Sequence, residues 1–244
     1  MLANDDTPFD SLIRKLGRLE PLNDDAASAV RALPFRLEQV AADHHLVREG
    51  ERPTECCLLL RGFACRYKVT YEGARQIVSF HMAGDILDLQ HLMLERADHI
   101  VMTITEASVA WMPAKDIRAV VSAHPAINTA LWRDSLIDAS IFREWVLNVG
   151  RRDAKTRVAH MLCEFAARRE SAGLGSPEAF ELPMTQEEIA DATGLTPVHV
   201  NRMLHALEEE GVIVRNKRHF QIVDWPRMRS VADFDPAYLH AAAA

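Results

Sequence analysis

The chain has 244 residues, 48% of them hydrophobic, with 28 Lys+Arg against 35 Asp+Glu and a net charge of −7. This is enough apolar material for two domains with cores of their own, and it argues against a protein that coats nucleic acid through bulk positive charge. No apolar run approaches the ~18 residues of a membrane span. The start, MLANDDTPFDSLIRKLGRLE, is too acidic for a signal peptide, so a cytoplasmic protein without membrane contact is expected.

A short helical start leads into a different pattern from about Arg36 to Met112. Apolar and polar residues alternate in FACRYKV and ARQIVSF, and TYEGA between them reads as a hairpin turn. Gly50, Gly62 and Gly84 punctuate further short strands, which predicts an antiparallel barrel or roll. Cys56, Cys57 and Cys65 fall in these strands, and with Cys163 they show neither metal-ligand nor disulfide spacing. They read as small buried hydrophobes, with a thiol sensor as the other reading. His44, His45, His81, His91 and His99 are of a type that ligates haem or metal. Surface and core histidines are the commoner case, so no metal site and no cofactor is expected.

From Pro125 to about Val149 the period becomes helical. Ile127, Leu131, Trp132, Ile137, Ile141, Phe142, Trp145, Val146 and Val149 fall in an arc of roughly 220° at 100° per residue. One buried contact needs a stripe of only about 100°. The expectation is a helix packed on its own roll and on the same helix of a second copy. Leu131, Ile137, Ile141, Trp145 and Val149 are the candidate dimer contacts; the other reading is the central helix of a monomer. Asp134 and Asp138 lie within the arc, either as paired buried acids or as solvated ones.

GRRDAKTRVAHMLCEFAARRE reads as an amphipathic helix, SAGLGSPEA as a loop, and TQEEIADATGLTPVHVNRMLHALEEEG as two helices around Gly194. Thr185 and Glu188 make a capping box, Thr196 caps the second helix, and Pro197 suits its first position. Val200, Leu204 and Leu207 form its buried stripe. GVIVRNKRHFQIVDW follows as strand, basic turn and strand, and the last residues, ending HAAAA, carry no readable signal.

Residues 151–244 contain 12 Lys+Arg and 14 Asp+Glu, so any contact with DNA must come from local placement. The second helix supplies it by turning Val198, Arg202 and His205, flanked by Asn201, away from the buried stripe. Arginine can fork onto guanine, asparagine onto adenine, and a valine methyl can meet thymine in a major groove. Thr185, Gln186, Thr196 and His199 lie at the helix starts. Arg215, Lys217 and Arg218 lie in the turn beyond, and all seven are candidate DNA contacts. Arg151, Arg152, Lys155 and Arg157 add a basic cluster upstream.

LPMTQEEIADATGLTPVHVNRMLHALEEEGVI resembles the winged helix-turn-helix of the Crp/Fnr transcription regulators. LVREGERPTECCLLLRGFACRYKVTYEGARQIVSFHMAGDIL resembles their cyclic-nucleotide-binding-like roll, and residues 125–150 resemble their dimer helix. The resemblance covers almost the whole chain in the family's order. It implies an α+β architecture: an N-terminal antiparallel roll as sensor (1–122), a dimerisation helix (123–150) and a winged helix-turn-helix (151–236). It also implies a homodimer that binds double-stranded DNA with a two-fold site and works with RNA polymerase.

Cyclic-AMP-binding members hold the ribose with Gly-Glu and the phosphate with an Arg-Ser/Thr pair. This chain has Asp88 and Leu89 at the first place, and Ala97 and Asp98 at or near the second, with Arg96 one register away. Phe142 and Arg143 lie where small hydroxylated residues would meet the adenine. Asp88, Leu89, Arg96, Asp98 and Phe142 are therefore the candidate effector pocket, for an effector other than cyclic AMP. The first cysteine is Cys56, so the N-terminal cluster of the iron–sulfur members is absent. No P-loop, zinc-protease motif or nucleophile elbow occurs, so an enzyme is not expected. The competing class is a ligand- or redox-binding sensor that acts through protein contacts rather than DNA.

Overall fold

The computed structural model describes residues 8–240. The first seven residues of the acidic start and the four closing alanines lie outside it. The chain divides into two compact units: one holds the residues up to Lys68 and Ser79–Asp138, the other Val69–Val78 and the residues from Ala139 on.

The first unit begins with two helices, α1 (Asp10–Leu19) and α2 (Asp24–Arg31). Asn23 starts α2 by accepting from the Ala26 amide at 2.8 Å. Seven strands follow in sequence, the segment Val69–Val78 at the end of β4 and the start of β5 belonging to the second unit: β1 (Arg36–Val40), β2 (His45–Val47), β3 (Glu55–Arg61), β4 (Ala64–Val69), β5 (Arg75–His81), β6 (Ile100–Thr103) and β7 (Ala107–Pro113), with a 3-10 turn at Leu89–Leu92. They form a three-stranded sheet ordered β1-β7-β3 and a four-stranded sheet ordered β2-β6-β4-β5. All the registered pairs in the two sheets are antiparallel. Gly62 makes the β3–β4 turn at φ 92°, where a Cβ would lie 2.5 Å from the Glu106 carbonyl oxygen. The β4–β5 hairpin turns through Thr70–Ala74, within the TYEGA segment.

The run ECCLLLR in β3 does not alternate in character because both its faces are covered. Cys57 and Leu59 join a core with Val47, Leu87, Val101 and Val109 between the sheets. Cys56 and Leu58 point the other way, into a second core with α1, α2, α3 (Ala114–Ala123) and the first turns of α4 (Pro125–Arg151). Strict alternation marks a half-buried strand; a strand buried on both faces reads as a continuous apolar run. All four cysteines are buried, and burial pushes the thiols of Cys56, Cys57 and Cys163 well up, Cys163 to about 12. These three stay protonated and pack as small apolar groups.

Asp134 is a largely covered, paired acid, whereas Asp138 is paired with its side chain still 46% exposed. Lys15 lies 2.8 Å from both Asp85 and Asp134, joining α1, the roll and α4. Burial alone would lower the Lys15 pKa, but the two carboxylates raise it. Asp138 takes Arg66 at 2.9 Å, and the other arm of Arg66 donates to the Leu87 carbonyl at 2.8 Å.

In the second unit α5 (Ala154–Ser171) is capped by Asp153 and packs on α6 (Gln186–Thr193), α7 (Pro197–Glu209) and α8 (Trp225–Val231). β8 (Ala179–Glu181), β9 (Ile213–Asn216) and β10 (His219–Ile222) form a sheet ordered β8-β10-β9, so the wing has a third strand that begins where the SAGLGSPEA loop ends. The end of the chain, unreadable in sequence, forms α8 and a 3-10 turn at Pro236–Leu239. The Asp224 cap with Pro226 behind it was the available signal. Phe234 and Leu239 are buried, and the Tyr238 hydroxyl donates to Glu164 at 2.8 Å. Among the described residues, no helix is long and apolar enough to cross a membrane.

Glu164 is 2% exposed and also accepts from the Trp145 indole at 3.0 Å. Burial holds its carboxyl above the ordinary range, against the opposing pull of Arg168 and the two hydrogen bonds. Below the ordinary carboxyl pKa of about 4.3, folded and unfolded chains are both protonated and ionisation costs nothing. Above it the unfolded chain releases its proton more easily, so the penalty grows until the folded group also ionises. Glu164→Gln cannot titrate. Its melting temperature relative to the wild type should therefore climb as the pH rises above about 4.3. A difference that stays flat across that range, measured by calorimetry, would refute the argument.

Candidate nucleic-acid interface

The helix pair is built as its sequence predicts. Thr185 Oγ accepts from the Glu188 amide at 3.2 Å, and the Glu188 carboxylate accepts from the Thr185 amide at 2.6 Å, closing the capping box. Gly194 ends α6 at φ 66°, a left-handed conformation that suits glycine. Thr196 Oγ accepts from the His199 amide at 3.2 Å and Pro197 opens α7. Val200, Leu204 and Leu207 are buried as the stripe requires.

On the other side of α7, Val198 is 80% exposed, and Arg202 and His205 are exposed beside it. Thr185, Gln186 and Thr196 are also exposed, while His199 and Asn201 are half-buried. Lys217 and Arg218 stand free in the β9–β10 turn, with Lys217 at φ 55°. Arg215 differs from its neighbours: its side chain is only 13% exposed and its Nε lies 2.9 Å from Glu208. The acidic run at the end of α7 is largely matched within the unit. Glu208 pairs with Arg215 and His205, and Glu210 with Lys155. A connection invisible in the sequence links the helices and the wing, because Gln186 and Arg215 both donate to the Asn201 side-chain oxygen.

The upstream basic cluster does not form a patch. Arg157 closes the end of α6 through the Thr193 carbonyl at 3.2 Å, Arg152 is held by Glu144 at 2.6 Å and by Asp233, and Lys155 is spent on Glu210. A charge run in sequence says nothing of the carboxylates and carbonyls that the fold brings to it.

Of the candidate effector-pocket residues in the first unit, Asp88 and Leu89 face inward while Arg96 and Asp98 are exposed. Asp88 is fully buried, and its carboxylate accepts from the Cys57 amide at 2.9 Å and faces His91 at 3.2 Å. Leu89 packs against the helix-side core. Arg96 and Asp98 are exposed; Arg96 reaches the Gly50 carbonyl and Asp98 contacts His99 Nδ1 at 2.7 Å. Phe142 is 50% exposed on α4, in the second unit. Hydrogen bonds within the first unit hold the Asp88 carboxylate inward and draw the exposed Arg96 to a backbone carbonyl. Among the described residues, no group of three or more His, Cys, Asp or Glu is placed to hold a metal.

The candidate dimer contacts of α4 are largely covered within the single chain. Leu131, Ile141 and Trp145 are 7% exposed or less within their own chain, and Ile137 and Val149 are half-buried. Among the exposed apolar residues of α4 are Trp132, Leu136, Val146 and Leu147, each between 44% and 61% exposed. They recur at i, i+4, i+14 and i+15, one continuous stripe. The wide arc held two stripes, and the helical wheel could not say which faced inward.

The cyclic nucleotide-binding domain family matches residues 37–124, and the Crp-like helix-turn-helix domain family matches residues 156–231. The chain is 28% identical over 201 residues to the transcriptional activator protein FnrL of Cereibacter sphaeroides, covering 80% of this chain and 79% of that one. It is 30% identical over 146 residues to the nitrogen fixation regulation protein FixK of Azorhizobium caulinodans, covering 60% and 58%. Its fold matches the solved structure of FixK2 from Bradyrhizobium japonicum with a TM-score of 0.75 at 24% identity, over 87% of this chain and all of that one. With roll, long helix and winged helix-turn-helix in this order, the chain belongs to the Crp/Fnr family of DNA-binding transcriptional regulators.

Proposed function

We propose that the protein binds a two-fold DNA site as a homodimer in the cytoplasm, with one α7 in the major groove of each half-site. The observation that carries this is the open face of α7: Val198, Arg202 and His205 point away from the core on a helix held by a capping box, a left-handed Gly194 and a threonine cap. Thr185, Thr196 and the free Lys217 and Arg218 flank it, where phosphates would lie. The apolar stripe of α4 supplies the dimer seam, and the half-sites then stand one helical turn, about 34 Å, apart. The roll (1–122), the dimer helix (123–150) and the winged helix (151–236) are the functional divisions. RNA polymerase is the partner at the promoter, and the protein carries out no reaction of its own. Selection of DNA from a random library by the full-length protein tests the reading. An inverted repeat with about one turn between half-site centres is expected, and recovery of no common sequence would overturn it.

Cyclic AMP is not the effector. The buried Asp88 is committed to Cys57 and His91, and the exposed Arg96 is turned to a backbone carbonyl. A cyclic phosphate needs a charge-assisted arginine fork in its pocket, and an exposed carboxylate at Asp98 opposes it. Titration calorimetry with cyclic AMP should show no binding and no change in DNA affinity. A low-micromolar dissociation constant would overturn this.

A further inference from the structure

An asparagine side chain has one oxygen with two lone pairs and one amide nitrogen with two hydrogens. To fork onto adenine it uses both ends: an N–H to N7, and the oxygen to accept from the N6 amino group. In α7 the Asn201 oxygen accepts from Gln186 Nε2 at 3.2 Å and from an Arg215 guanidinium nitrogen, also at 3.2 Å. A guanidinium only donates, so the atom facing Arg215 must be the oxygen, and the two ends of this amide are not interchangeable. Arg215 is itself fixed by Glu208, seven residues beyond Asn201 on the same helix. The first helix and the wing therefore converge on one oxygen, fill both its lone pairs and leave the amide N–H groups of Asn201 as its unspent donors.

We infer that Asn201 reads DNA as a donor only, that Arg215 is the positioning residue that sets this polarity, and that the base selected is guanine rather than adenine. Guanine presents two adjacent acceptors, N7 and O6, in the major groove. Adenine presents an acceptor beside a donor that Asn201 has no free oxygen to receive, and cytosine presents only a donor. The inference rests on α7 being the reading helix and adds which chemical face of one residue does the reading. The adenine fork expected from residue type alone is replaced.

The test uses the full-length protein, its selected site and every single-base variant of one half-site, with affinities from fluorescence anisotropy. Asn201→Ala should flatten a guanine preference of roughly tenfold at one position, distinct from the position that Arg202→Ala flattens. Arg215→Met keeps an unbranched stem but removes the donors. It should free one lone pair of that oxygen and move the preference at that same position from guanine toward adenine, leaving the ranking elsewhere unchanged. A wild-type preference for adenine that Asn201→Ala removes would overturn the inference. So would an Arg215→Met variant that weakens all sequences evenly and keeps the guanine preference, since Arg215 would then act on phosphate alone. Arg202→Ala and Asn201→Ala both leaving every preference intact would instead sink the assignment of α7 as the reader.

Discussion

Replacing Leu136 with glutamate should convert the protein to a monomer and lower its affinity for a two-half-site operator roughly 10²–10⁴-fold. Leu136 is 60% exposed in the single chain, so the substitution leaves the core of each copy untouched. In the proposed dimer it lies in the stripe with Trp132, Val146 and Leu147, where two copies would meet. A carboxylate buried there without a partner costs several kcal/mol, and its two-fold mate doubles the like charge. The DNA effect follows by geometry: a dimer brings its second reading helix to the second half-site as an intramolecular event, and a monomer does not. Sedimentation velocity at micromolar concentration and anisotropy on the selected operator give the two readouts. A wild type that sediments as a monomer, or a Leu136→Glu variant that remains dimeric with full affinity, would show that this face is not the seam. Trp145→Glu would be misleading, because Trp145 is buried against Glu164 within its own chain and the variant tests folding instead.

Arg202→Ala should cost about 1–3 kcal/mol at each half-site. It should also erase a base preference at one position per half-site. Arg202 is exposed on α7 between Val198 and His205, and the guanidinium fork matches the O6 and N7 acceptors of guanine. Lys217→Ala is the contrasting substitution. An exposed ammonium in the wing turn reaches phosphate, so binding should weaken about evenly across sequences and the salt slope should fall by about one. Affinities for single-base operator variants at several salt concentrations separate the two patterns. Arg202→Ala with unchanged affinity and unchanged base ranking would remove Arg202 from the readers.

What the sequence by itself determined is what depends on near neighbours. The capping box at Thr185 and Glu188, the glycine turn at Gly194, the threonine cap and proline start of α7 and its stripe of Val200, Leu204 and Leu207 all involve residues within two helical turns. The same holds for the TYEGA hairpin and for α4, expected from Pro125 to about Val149 and found to end at Arg151. Periodicity and capping are local physics, so they can be read before folding. The partners of charged and amide groups are not local. Asp134 meets Lys15 from 119 residues away, Asp138 meets Arg66 from 72, and Arg152 meets Asp233 from 81. None of these pairs leaves a mark in a window of sequence. The tertiary structure alone decided which stripe of α4 stays open, why the upstream basic residues form no patch, and why Asp88, Arg96 and Asp98 form no anion site. It also decided which end of the Asn201 amide is free, because that depends on donors brought in from a different helix and from the wing.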